Sequence, residues 1–188
     1  MLPLAGIQPY DVSVGAGVKL PTAGHHQTVD GVRLPLDLQP GTGATDFLLT
    51  SYGRYYGSPG WNLFAGHVWR VTSTNGDGYR FGNELQVFTG AVRQMGSRWS
   101  VTVEGRWRHA TQDSRNFGTR APSTGNDRLF VAPGGAIKLG TRGPSLLATL
   151  LIPVYERVEG TQLGTTVGLS VALQKQFTPA PRPPITQQ

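Results

Sequence analysis

Trp99 to His109 limits the fold more than any other stretch of the chain. Trp99, Val101, Val103, Gly105 and Trp107 alternate with Ser100, Thr102, Glu104, Arg106 and Arg108. A strand sends successive side chains to opposite faces, so the segment is predicted to be a strand with one apolar, aromatic face and one charged face. The same period recurs along the chain. Predicted strands are Asp11–Leu20, Thr45–Tyr56, Trp61–Thr72, Tyr79–Val92, Trp99–His109, Arg128–Leu139, Ser145–Tyr155 and Thr165–Phe177. In the last of these, Val167, Leu169, Val171, Leu173 and Phe177 oppose small and polar residues. No window long enough for a helix shows a helical period, and no apolar run is long enough to be a transmembrane helix.

Composition narrows the class. A chain of 188 residues is read as one domain. It has no cysteine, so disulfide frameworks and thiolate metal sites are excluded. Charged residues are 15% of the chain, against about 25% in an ordinary soluble domain. The net charge of +6 is scattered rather than gathered into runs, so nucleic acid is not an expected partner. Met1 to Gly6 is too short and lacks the positive start of a secretory signal, so it is not read as an export signal.

The connections alternate in length. Pro21–Gly43 and Ala110–Asp127 are long and polar, while Gly57–Gly60, Gln94–Ser97 and Gly140–Pro144 are tight turns. Short turns at one end and long loops at the other are the asymmetry of outer-membrane barrels. The expected fold is therefore all-β: an antiparallel up-and-down transmembrane β-barrel over residues 1–177. Eight strands lie in this chain. Residues 178–188, rich in proline, are predicted to be a flexible tail.

The aromatic spacing points the same way. Trp61 and Trp69, like Trp99 and Trp107, lie eight residues apart on one face. At about 3.3 Å per residue and a tilt of about 40°, each pair spans roughly 20 Å along the membrane normal, near the height of the apolar band. Tyr79 and Phe177 are expected to join them as membrane-interface aromatics. The opposite face carries Arg70, Arg80, Glu84, Glu104, Arg106 and Arg108. Folding the fourth strand on the fifth about Met95 places Glu84 opposite Arg106, with Glu104 and Arg108 diagonal. Folding the third on the fourth sets Arg70 diagonal to Arg80 and Glu84. Enclosed charges must pair, so these six residues are read as a lumenal charge network that plugs the barrel. The functional alternative is a constriction that prefers anions. In a soluble β-sandwich the same charged face would be the solvated outside.

Several motifs carry a family resemblance. They are Gly17-Val18-Lys19-Leu20-Pro21-Thr22, Leu38-Gln39-Pro40-Gly41-Thr42-Gly43, Ile152-Pro153-Val154-Tyr155-Glu156-Arg157-Val158-Glu159-Gly160-Thr161-Gln162-Leu163, and the Val-Gly-Leu-Ser strand ending at Phe177. Together they resemble the C-terminal part of a bacterial outer-membrane barrel family. Its members are often labelled transporter or MetA-pathway of phenol degradation protein. The resemblance implies a porin-like β-barrel in the Gram-negative outer membrane, with an export signal and more strands upstream, so that the eight strands of this chain would be part of a larger barrel of about twelve. It implies passive transport of small, aromatic or hydrophobic molecules, and it brings no catalytic residues.

Partners expected on this reading are the lipid bilayer with its lipopolysaccharide, a small-molecule cargo, and a periplasmic protein held by the tail. Alternatives are a non-conducting structural barrel with a charge-filled lumen, and a soluble β-sandwich binding module. No cofactor or metal is expected, and the chain does not read as an enzyme. His109, Thr111 and Asp113 share a strand face at the outer rim, but a rim histidine is the simpler account. His25, His26 and Asp30 could bind a metal, although an ordinary polar loop is favoured. Gly41-Thr42-Gly43 opens no helix and is loop chemistry only.

Overall fold

The computed structural model of the chain describes residues 9–116, 118–140 and 143–175. Eight long strands form one antiparallel sheet. They are β1 (Tyr10–Lys19), β2 (Asp46–Tyr56), β3 (Trp61–Thr72), β4 (Glu84–Met95), β5 (Trp99–Ala110), β6 (Asn126–Lys138), β7 (Ser145–Val158) and β8 (Gly168–Gln174). They lie in chain order, each bonded to the next. The fold is thus all-β and up-and-down. Among the described residues β1 and β8 do not pair with each other, so the sheet is open and not a closed barrel. Phe177 and the tail lie outside the described residues.

Register carries the sequence alternation across the sheet. Val101 lies opposite Arg93 and Gly135, Val103 opposite Ala91 and Pro133, and Trp107 opposite Val87 and Leu129. Antiparallel partners share a face, so the apolar residues join into one broad surface, interrupted in mid-sheet by Ser51 and His67. Val14, Leu49, Leu63, Trp69, Val103, Leu150 and Leu169 all expose their side chains there. No other sheet covers this face among the described residues.

Two smaller sheets sit at the looped end. One pairs Thr28–Val29 with Val32–Arg33. Asp30 and Gly31, at φ 51° and 78°, turn this hairpin. The other joins Tyr79–Arg80, Ser114–Arg115 and Thr119–Arg120. Buried residues collect at this end: Ala44, Asp46, Thr72, Asn75, Tyr79 and Ala121. Lys19 Nζ donates to Asp46 Oδ2 (2.8 Å) and to Thr42 Oγ1 (2.6 Å), tying β1 to β2 and its loop.

Two strands depart from the expected pattern. Tyr79–Val92 is not continuous, because the chain breaks at Phe81-Gly82-Asn83. There it passes so close to Thr111 that a Cβ on Gly82 would lie 1.9 Å from the Thr111 carbonyl oxygen. The Asp113 carboxylate accepts the Gly82 N–H (2.7 Å), and Asn83 Oδ1 accepts the Thr72 N–H (3.0 Å). Polar side chains here replace ladder bonds. The second departure is a bulge in β7. Leu129 faces Tyr155 but Phe130 faces Pro153, leaving Val154 as the extra residue. Beyond it the alternation reverses phase. Ile152 and Tyr155 lie on the apolar face, and Glu156 turns to the charged one.

Candidate functional site: the charged face

The charged face is built in rows, one residue per strand. Nearest the looped end the row contains Arg70 (β3), Glu84 (β4), Arg108 (β5), Arg128 (β6) and Glu156 (β7). Arg70 stands opposite Glu84, Arg108 opposite Arg128, and Arg128 opposite Glu156. Glu84 Oε2 accepts from Arg108 Nη2 (2.6 Å) and Arg70 Nη2 (3.2 Å). Gln86 Nε2 donates to its Oε1 at 2.5 Å. Arg128 Nε lies 2.7 Å from Glu156 Oε1. Arg108 Nη1 also donates to Asn126 Oδ1 (2.9 Å). The neighbouring cations Arg108 and Arg128 therefore each lean on a different carboxylate.

Further from the loops the face becomes aromatic. The rings of Tyr52, Phe64 and Phe88 gather with centroids 6.4–6.5 Å apart. Glycines make the room: Phe64 lies opposite Gly90, and Phe88 opposite Gly66. A Cβ on Gly66 would meet Phe88 at 2.6 Å, and one on Gly90 would meet Phe64 at 2.5 Å. Arg106, opposite Phe88, folds back on its own strand to Glu104, with Nη2 to Oε1 at 2.7 Å.

Of the six charges expected to converge, Arg70, Glu84, Glu104, Arg106 and Arg108 lie on this face, and Arg80 does not. Arg80 belongs to the rim sheet, where its Nε donates to the Thr72 carbonyl (3.1 Å) and its Nη2 to Asn83 Oδ1 (3.3 Å). Pairings also differ from those expected. The β4–β5 turn is centred on Ser97 rather than Met95, with Met95 opposite Trp99. Glu84 therefore faces Ala110, and Arg106 faces Phe88. Arg128 and Glu156 complete the row, and the sequence alternation did not place them there. Proline in a strand interior is tolerated at bulges, so Pro153 was the available signal for the phase change that turns Glu156 to the charged face.

All four tryptophans lie on the opposite, apolar face and are partly exposed, from 37% at Trp107 to 56% at Trp99. Trp61 and Trp99 are toward the tight turns, and Trp69 and Trp107 toward the loops. The Arg93 guanidinium lies 5.0 Å from the Trp61 ring centroid. Tyr79, expected beside the tryptophans, is instead 7% exposed in the rim, where its hydroxyl donates to Asp113 Oδ2.

Neither candidate triad forms as expected. His109 Nδ1 lies 2.7 Å from Asp127 Oδ1, and its ring stacks on Trp107. Thr111 Oγ1 accepts the Asn83 N–H (2.9 Å), and Asp113 is held by Tyr79 and Gly82. His109, Thr111 and Asp113 thus form no nucleophile–base pair with one another. In the first loop, His25 and His26 meet Asp77 rather than Asp30, which serves in the hairpin turn. Arg33 and then His26, bonded to the Asp77 carboxylate, hold it below the ordinary value, to about 2. No protein family, curated protein or solved structure matches the chain.

Proposed function

We propose that this chain forms the wall of an outer-membrane β-barrel that passes small molecules passively. The supporting observation is the division of the sheet. Its exposed apolar face is bounded by tryptophans near both ends, and the ion pairs of the arginine–glutamate row lie on the opposite side. Water would not favour that arrangement, because monomeric soluble proteins rarely expose a continuous apolar surface of this extent. Hydrocarbon would. A bilayer also forbids open strand edges, so β1 and β8 must be paired there, with each other or with further strands. The face inside would then offer arginine-rich ion pairs near the loops and an aromatic cluster below them. That lining suits small aromatic or anionic solutes.

A second reading rests on the same lining. Closed on its own eight strands, a barrel has an interior just wide enough for side chains to fill. Tyr52, Phe64, Phe88 and Arg106 would then block the lumen, leaving a structural barrel. Liposome swelling discriminates. Purified protein should insert into vesicles, migrate anomalously on a gel unless heated, and admit small phenolic acids. Insertion without solute entry would select the blocked barrel. Full solubility without detergent would remove both readings.

A further inference from the structure

The first loop and the β3–β4 connection meet through side chains that transport does not use. His25 and His26 come from the loop after β1, and Asp77 from the turn after β3. One ligand atom from each residue can be chosen so that all lie within 4.8 Å of one another. His26 Nε2 is 3.2 Å from Asp77 Oδ1, and His25 Nε2 is 3.9 Å from Asp77 Oδ2. A tetrahedral site with bonds of about 2.0–2.2 Å holds its ligand atoms about 3.4 Å apart. The three side chains therefore need only small rotations to close on a common centre.

The surroundings favour that convergence. A Cβ on Gly43, at φ 65°, would lie 2.6–2.7 Å from the His25 ring, so the glycine is what lets the ring reach this position. Arg33 Nη2 donates to Asp77 Oδ2 and to the His25 carbonyl oxygen (3.0 Å). It fixes both the carboxylate and the backbone that carries the imidazoles, as outer-shell groups do at metal sites. The His26 side chain is 59% exposed, which leaves an approach from solvent and room for a water ligand.

We propose that His25, His26 and Asp77 bind one divalent transition-metal cation of the zinc type, tying the first loop to the β3–β4 turn. Two imidazole nitrogens and a carboxylate suit zinc, nickel or copper, whereas magnesium and calcium prefer all-oxygen shells. Asp77 turns Oδ1 to the ion while Arg33 retains Oδ2. Bound metal would hold the two loops together and restrict the mouth without touching the ion pairs of the charged face.

The test is calorimetric titration of zinc chloride into the full chain in detergent, beside His26→Ala, Asp77→Asn and the control His67→Gln. His67 is distant in the sheet, 2.7 Å from Ser51 Oγ. We expect one saturable site per chain, weakened at least tenfold in His26→Ala and Asp77→Asn and unchanged in His67→Gln. Zinc should also slow proteolysis of the first loop in the parent chain alone. Heat-modifiable migration verifies that each variant is folded. The proposal is overturned by absence of saturable binding, by equal binding in the parent and both site variants, or by magnesium binding as tightly as zinc. Because the readout is metal affinity, its failure is distinct from failure of transport.

Discussion

The two faces of the sheet share every strand and every register, yet they are built on different rules. On the apolar face most contact is generic, the specific exceptions being Ser51 Oγ to His67 Nδ1 and His109 Nδ1 to Asp127 Oδ1, both 2.7 Å. Two of its glycines are roomy: a Cβ on Gly53 or Gly105 would find its nearest neighbour 3.9 or 4.0 Å away, whereas one on Gly135 would meet the Ser100 carbonyl oxygen at 3.1 Å. On the charged face contact is specific. Gly66 and Gly90 there are crowded by rings, and each cation of the upper row has a named carboxylate. A face facing hydrocarbon needs only to be apolar, whereas an enclosed face must fill space and neutralise charge. The difference is what the proposed barrel requires of its two sides.

The sharpest break in that contrast is Glu84→Gln. Glu84 takes both Arg70 and Arg108, and its side chain is only 12% exposed. Losing its charge leaves two facing guanidiniums, and urea unfolding in phospholipid vesicles should show a loss of about 3–5 kcal/mol. Next is Val103→Arg, at mid-height on the apolar face. In a bilayer it should cost about 2–4 kcal/mol, and Phe47→Arg, beyond the Trp69 row, at most about 1 kcal/mol. Equal costs at the two depths would count against a membrane on this side. Smaller again is Gly66→Ala, where the new methyl meets Phe88 and the Ser51 carbonyl. We expect a loss of about 1–3 kcal/mol, against little change for Gly53→Ala.

The smallest effect lies at the rim. The Asp77 carboxyl is lowered from 3.8 to about 2 by Arg33 and His26, so its contribution is full above about pH 4 and fades as pH falls through about 2. Asp77→Asn should accelerate protease cleavage of the first loop at pH 5. The difference from the parent chain should close near pH 2, read with an acid-stable protease.

Alternation made the strands and their faces legible, because a period of two is a direct imprint of backbone geometry. Trp99–Ala110 is nearly the predicted segment, and the β3 bounds match. What failed was register and phase. A turn shifted from Met95 to Ser97 re-pairs every residue of β4, while the period itself is blind to where a hairpin turns. The Val154 bulge reverses one strand and brings Glu156 to Arg128. Tyr79 carries the right residue type for an interface, yet the Gly82 close approach takes it into the rim. Asp77 is 51 residues from His26, so only the fold could replace Asp30 by it.

Tryptophan fluorescence tests the central claim most directly. The four tryptophans all lie on the apolar face, so the reconstituted protein should be strongly quenched by lipids brominated near the top of their acyl chains and hardly by aqueous iodide. Emission untouched by brominated lipid but quenched by iodide would place that face in water and contradict the account.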